Sequence, residues 1–192
     1  MGLFKKTTKP SQQAYAVVTG AGSGIGQSFA LALGKRGGTV VCADINLAAA
    51  EKTVALLAEH GAKAYAVACD VGKAEQVAEL AEQAEQLMQH PVTLVINNAG
   101  VGLGGKFDEL SLEDWQWVTH VNLWGVIHGC HFFVPKFKKL GHGAIINVAS
   151  AAGYTAAPEM TAYNVTKSGV LALSETLFSE LKKSNIKVNV LC

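Results

Sequence analysis

An α/β fold on a doubly wound parallel sheet is predicted by three observations. Short runs rich in Val, Ile, Ala and Thr alternate with longer helical stretches along the chain. These runs are apolar at odd and even positions alike, the pattern of strands covered on both faces. The stretches between them are long enough to act as crossover helices, the connections that parallel strands require. The 192 residues fit a single domain, which typically has about 100–200 residues.

A polar arm, residues 1–13 with Pro10, precedes the first element. Residues 14–19 (AYAVVT) form an apolar, β-prone strand, and a glycine-rich turn leads from it into a helix over 24–36. Residues 39–43 (TVVCA) are the second strand. The stretch 47–60, rich in Ala, Leu and Glu and free of Pro and Gly, is the second helix. A third strand (63–69), a third helix (73–89) and a fourth strand (93–97, TLVIN) follow. Ser111 is placed to cap a long helix that begins near Leu112 and continues past Phe132. Residues 143–149 (GAIINVA) are the fifth strand, 161–184 another helix, and 186–191 (IKVNVL) the sixth strand. No repeat, low-complexity tract or linker interrupts the series. Residues 14–192 therefore read as one Rossmann-like domain.

Composition narrows the function classes. Hydrophobic residues make up 49% and charged residues 16%, against about 25% charged in an average soluble protein. Some apolar surface is thus available for a partner subunit. A formal charge of +1 gives no electrostatic reason to expect nucleic acid or a membrane surface as partner. No run of about 18 apolar residues occurs, and Met1-Gly2-Leu3-Phe4-Lys5-Lys6 has Lys where a myristoylation pattern has Ser or Thr. A soluble, cytoplasmic protein is expected. Cys42, Cys69, Cys130 and Cys192 are scattered and read as reduced residues, the first two in buried strands. His128, Cys130 and His131 lie close in sequence but lack the further ligands of a metal site, so no metal is expected.

Two clusters carry chemistry. The first strand runs directly into Thr19-Gly20-Ala21-Gly22-Ser23-Gly24-Ile25-Gly26. Glycines between a strand and a helix let the backbone approach a pyrophosphate at the positive end of that helix. Asp44 stands at the end of the second strand, 18 residues after Gly26. A ribose-binding acid is expected at about 20 residues from such a loop. A strand-end Asp can also cap the next helix, and Asp44 is placed to do both. Ile45 and Asn46, not a cation, follow it, so a 2′-phosphate would be repelled and NAD(H) is expected over NADP(H).

The second cluster centres on Tyr163 and Lys167, spaced i, i+4 and therefore on one helix face. A free tyrosine titrates near pH ~10, too high for an efficient base at neutral pH. Lowering that value by about three units takes roughly 4 kcal/mol, which a nearby ammonium helps to supply. Ser150 ends the fifth strand 13 residues before Tyr163, and Asn122 lies 41 residues before it. Asn122 alone is equally a packed polar residue within a helix.

Taken together, residues 14–192 resemble the short-chain dehydrogenase/reductase family. The 19–26 segment has its Thr-Gly-x-x-x-Gly-x-Gly form, and Asn97-Asn98-Ala99-Gly100 its Asn-Asn-Ala-Gly motif. Asp70-Val71 matches its adenine-contacting pair, and Ser150-Ala151-Ala152-Gly153 its Ser-x-x-Gly turn. The resemblance implies a cofactor site of Gly20, Ser23, Gly24, Ile25, Gly26, Asp44, Asp70, Val71, Asn98, Ala99 and Gly100, with Tyr163 and Lys167. Asn97 would steady the central strands. Asn122, Ser150, Tyr163 and Lys167 would form a catalytic tetrad. Within it, Ser150 binds the substrate oxygen, Tyr163 exchanges a proton with it, and Lys167 holds the nicotinamide ribose and lowers the tyrosine pKa. Asn122 would bend its helix and position a water linking Lys167 to solvent.

The implied activity is interconversion of a secondary alcohol and a ketone. Val101, Leu103, Phe107, Ala152, Tyr154, Pro158 and Met160 are expected to border the substrate, which favours a hydrophobic one. The alternative is an NAD(H)-sensing regulator without catalysis, though such proteins usually lack the Tyr or the Lys. The resemblance also implies a homodimer or homotetramer, since members of the family pack the two long helices, here around 112–132 and 161–184, against their copies. The family pattern also implies that the chain continues past Cys192, with the sixth strand central in a larger sheet.

Overall fold

The computed structural model describes residues 9–192. Residues 1–8, which include the Met1–Lys6 pattern and most of the polar arm, lie outside it. Six strands form one sheet: β1 (Tyr15–Thr19), β2 (Thr39–Asp44), β3 (Ala64–Ala68), β4 (Leu94–Asn97), β5 (Gly143–Val148) and β6 (Ile186–Leu191). Every pairing is parallel and the order is β3-β2-β1-β4-β5-β6. The direction of winding reverses between β1 and β4, which opens a crevice at the carboxyl ends of these strands.

The helices are α1 (Gly24–Gly34), α2 (Leu47–Glu59), α3 (Ala74–Met88), α4 (Leu112–Thr119), α5 (Gly125–Leu140), α6 (Ala152–Thr155) and α7 (Thr161–Leu181). The strands feed two cores, as the period of two in side-chain direction requires. Ala16, Val18, Val40 and Cys42 point to one face and pack with Ala30 and Leu33 of α1 and Leu57 of α2. Val17, Val41, Val95 and Ile145 point to the other, against Leu80 of α3, Phe133 and Phe137 of α5, and Val170 of α7. Nearly all of these side chains are fully buried, and each large one contributes about 1.5–3 kcal/mol of hydrophobic stabilisation.

Helix starts follow local chemistry. Ser111 caps α4 in a reciprocal box with Asp114, the Ser Oγ accepting from the Asp114 N–H at 3.1 Å. Asn46, not Asp44, caps α2: its Oδ1 accepts from the Ala49 N–H at 3.2 Å. The capping part of the Asp44 expectation is thereby corrected.

Two features depart from the sequence expectation. The long helix after Ser111 does run past Phe132, but a five-residue π-helical segment, His120–Trp124, separates α4 from α5. The turn α6 had no signal of its own. Among the described strands β6 pairs with β5 alone, with Ile186 and Val188 buried and Lys187 and Asn189 exposed. Its exposed alternate positions are therefore polar over this part, with half-exposed Leu191 (44%) at the end. Among the described residues no helix is long and apolar enough to cross a membrane.

Candidate active site

The crevice at the carboxyl ends of the strands is a cleft of about 850 Å³. All eleven residues expected around the cofactor line it, from Gly20 and Ser23 through Asp44, Asp70 and Val71 to Gly100. Ser150, Tyr163 and Lys167 line the same cleft. Asn122 is fully buried behind the wall.

The glycine loop is held from beneath. Thr19 Oγ1 accepts from the N–H groups of Asn98 at 3.0 Å and Ala99 at 3.1 Å. The Asn98 amide donates to the carbonyl oxygens of Thr19 at 2.9 Å and Gly20 at 3.3 Å. These bonds tie the β1 turn to the β4 turn, so the two motifs act as one scaffold. Glycine is required at position 26, where a Cβ would stand 2.0 Å from the Gly20 carbonyl oxygen. Asp44 completes the loop: its Oδ2 accepts from the Gly22 N–H at 2.8 Å and its Oδ1 from the Asn46 N–H at 2.9 Å. Gly22 is a residue the sequence reading left out, and its signal was its place in the same glycine run.

The buried polar residues behind the cleft form a chain. Asn97 Nδ2 donates to Asn147 Oδ1 at 2.8 Å, and Asn147 Nδ2 donates to Ser174 Oγ at 3.0 Å. This links β4, β5 and α7, as the resemblance implied for Asn97. Asn147 and Ser174 carried no motif and were missed, because strand register brings Asn147 opposite Asn97 and only the packing of α7 adds Ser174.

The chemical cluster comes from three elements. Ser150 follows β5, and its Oγ accepts from the Ala152 N–H at 3.2 Å, leaving its proton free for another acceptor. Tyr163 and Lys167 sit one turn apart on α7, with Lys167 Nζ 5.7 Å from the tyrosine ring centre. Lys167 is almost fully buried and donates to the Val148 carbonyl oxygen at 3.0 Å. Burial of the ammonium brings its pKa down from 10.5 to about 8.

Asn122 lies within the π-helical segment. Its Oδ1 accepts from the Val101 N–H at 2.8 Å and its Nδ2 donates to the Val101 carbonyl oxygen at 2.9 Å. A weaker bond from Nδ2 reaches Thr166 Oγ1 at 3.4 Å. Gly100 passes between the two polar groups, where a Cβ would stand 3.2 Å from Asn122 Oδ1 and 3.5 Å from Lys167 Nζ. The amide is thus a clamp on the turn after β4.

Of the residues expected to border the substrate, Val101 lines the cleft, whereas Leu103, Phe107, Ala152, Tyr154, Pro158 and Met160 are not among its lining residues. Phe107 and Tyr154 are 69% and 65% exposed. They belong to the 101–110 loop and to the 151–160 segment that includes α6, which meet each other through the Gly105 N–H and the Glu159 carbonyl oxygen at 2.7 Å. Trp117, Val121 and Leu191 supply apolar wall that the sequence did not single out.

His128, Cys130 and His131 do not converge. His128 bonds Val71, Cys130 is buried against Asn97 and Asn147, and His131 stacks edge-on against Phe132. Burial pushes the thiol of Cys42 and of Cys69 up to about 12 and that of Cys130 to about 11.

Comparison with known proteins bears on the same residues. Cyclohexanol dehydrogenase of Acinetobacter sp. (strain SE19) is 38% identical over 175 residues, covering 91% of this chain and 69% of that protein. The protein named probable oxidoreductase EphD of Mycobacterium tuberculosis is 37% identical over 177 residues, but the match spans only 30% of its length. A crystal structure of a short-chain dehydrogenase/reductase from Burkholderia phymatum, in complex with NAD, superposes with a TM-score of 0.93 at 38% identity. It covers 96% of this chain and 66% of that one. The family model for short chain dehydrogenase matches residues 14–192. With that match added to the cleft geometry, the chain belongs to the short-chain dehydrogenase family.

Proposed function

We propose that the protein is an NAD(H)-dependent oxidoreductase that interconverts a secondary alcohol and a ketone, with Tyr163 as acid/base. The observation that carries this reading is the meeting of Ser150, Tyr163 and Lys167 with the glycine loop and Asp44 in one cleft. Because the chain spans 30% to 69% of the relatives described above, the activity of the whole protein is part of the proposal.

The donor set fits a dinucleotide. The first-turn N–H groups of α1 have no intrahelical acceptor, Ser23 makes no side-chain cap, and the turn holds no acid. They are free to receive a pyrophosphate. Asp44 keeps acceptor capacity for a ribose diol beyond its two backbone bonds. Among the residues lining the cleft, Lys167 is the sole Lys or Arg, so nothing near Asp44 would balance a 2′-phosphate. The bound nicotinamide supplies or accepts the hydride.

The chain's own groups handle the oxygen and its proton. The Ser150 hydroxyl donates to the substrate oxygen and steadies its developing charge. Tyr163 gives that oxygen a proton in reduction and takes it in oxidation. Lys167, charged below pH about 8, favours negative charge on the phenol oxygen and donates to the nicotinamide ribose. The Asn122 amide is already bonded to Val101 and Thr166, so a water between Lys167 and solvent would rely on the π-segment backbone instead. Val101, Trp117 and Val121 on the cleft wall favour a hydrophobic alcohol or ketone. Buried, free cysteines agree with a cytoplasmic location.

The direct test is NADH formation, followed by absorbance, from NAD and a panel of secondary alcohols. Binding of NADH without turnover of any of them would leave a regulator. Replacing Asp44 with Ala is expected to weaken NADH binding about tenfold and NADPH binding by less than about threefold. Tighter binding of NADPH than NADH by the unaltered protein would refute the cofactor assignment.

A homodimer or homotetramer is part of the same reading. Leu112 on α4, Trp124 in the π segment, and Val165 and Phe178 on α7 are 46–75% exposed, and apolar surface of this kind marks interfaces. Light scattering at micromolar concentration should report at least twice the monomer mass. A monomer would contradict it.

A further inference from the structure

We propose that His128 is a positioning residue for the adenine half of the dinucleotide site, holding the 70–72 loop through a hydrogen bond to Val71. The inference rests on the NAD(H) reading above and adds a residue that the catalytic tetrad and the glycine loop do not include. His128 Nδ1 lies 2.9 Å from the Val71 carbonyl oxygen. A carbonyl accepts only, so Nδ1 carries the proton and donates. The ring is held in that direction by Trp124, one turn earlier on the same face, with centroids 5.7 Å apart and planes tilted by 34°.

The rest of the loop is tied locally. Gln76 Oε1, in the first turn of α3, accepts from the Asp70 N–H at 2.7 Å, and Asp70 Oδ1 accepts from the Gly72 N–H at 3.0 Å. These bonds shape the turn but connect it only to the start of the next helix. The bond from His128 spans 57 positions in sequence and fixes the loop to α5. Close packing reinforces it at Gly125, where a Cβ would stand 2.7 Å from Val71 Cγ2. A side chain there would push Val71 towards the cleft that it and Asp70 line.

The π-helical segment explains why this helix can serve both ends of the cleft. One extra residue in a turn rotates everything after it by about 100°. Asn122, inside the segment, faces Val101 on the catalytic side. Gly125 and His128, just after it, face Val71 on the other. An uninterrupted α-helix would misdirect one of the two sets.

The test compares the unaltered protein with His128→Phe and His128→Asn. Phe keeps a ring beside Trp124 but has no N–H, whereas Asn places an amide N–H at the same branch position. NADH, AMP and reduced nicotinamide mononucleotide are titrated separately, and amide exchange is followed at residues 71–73. His128→Phe should weaken NADH and AMP about tenfold, leave the mononucleotide within about twofold, and speed exchange at 71–73 but not in α7. His128→Asn should recover NADH binding to within about threefold. If His128→Phe binds NADH and AMP as the unaltered protein does, or loses the mononucleotide equally, the positioning role is refuted. If the unaltered protein binds no NADH, the functional reading fails instead.

Discussion

Tyr163→Phe is expected to lower kcat about 1000-fold while NADH binding stays within about twofold of the unaltered protein. General acid–base catalysis contributes typically 10²–10⁴-fold, and this substitution removes the oxygen proposed to carry the proton while keeping the ring. None of the hydrogen bonds among the described residues uses the Tyr163 hydroxyl, whose role in the fold is therefore small. Among the described residues, the side-chain hydrogen bond to its backbone is the one that the Tyr163 carbonyl accepts from Thr166 Oγ1 at 2.8 Å, which the change leaves alone. Single-turnover kinetics with NADH and a ketone substrate, together with a melting curve, provide the check. Retention of most of the original kcat would mean that another group moves the proton.

Lys167→Met is expected to act in opposite directions on stability and turnover. The buried ammonium has its pKa lowered from 10.5 to about 8. That difference is the free energy of keeping the charged form out of water, and it costs the native state about 3 kcal/mol at neutral pH. Methionine fills a similar volume without the charge, though it gives up the bond to the Val148 carbonyl oxygen, with a net value of about 1.5 kcal/mol. The balance favours the variant by about 1–2 kcal/mol, or about 3–6 °C in Tm for a chain of this length.

Turnover should fall at least about 100-fold, because the proposed role of Lys167 in supporting the Tyr163 phenolate needs its charge. The pH dependence follows from the direction of the shift. Between pH 8 and 10.5 the unfolded chain holds the lysine proton and the native chain releases it. The stability of the unaltered protein should therefore rise across that window relative to Lys167→Met. The gap in Tm should be widest at or below pH 7, close near pH ~9 and reverse towards pH ~10. A variant that melts lower at pH 7 would show that the bond to Val148 outweighs desolvation.

Both predictions depend on a site that was legible in sequence to an unusual degree, and the reason is local. The glycine loop, Asp44, the Asn97–Gly100 turn, Ser150 and the Tyr163–Lys167 pair each lie at the carboxyl end of a strand or on one helix face. Their spacing alone places them together once the strands are parallel. The strands themselves were readable because residues such as Val40, Val41 and Cys42 are buried on both faces of the sheet, which leaves an unbroken apolar run.

What the tertiary structure decided are contacts between residues distant in sequence. The His120–Trp124 π segment has no composition of its own, since His, Val, Asn, Leu and Trp suit an α-helix equally well. It exists where Asn122 bonds Val101 and where Gly125 and His128 meet Val71. Asn147 and Ser174 become a polar chain with Asn97 only through strand register and the packing of α7 on β5. The segments holding Phe107 and Tyr154 were apolar enough to suggest pocket walls, yet they bond to each other and leave that wall to Trp117 and Val121. By itself the sequence determined the order of elements and the grouping of Ser150, Tyr163 and Lys167 with the glycine loop, because these follow from periodicity and short-range spacing. Helix phase, the partners of Asn122 and His128, and the substrate-facing surface were decided only by packing, where the energy comes from residues that no local pattern connects.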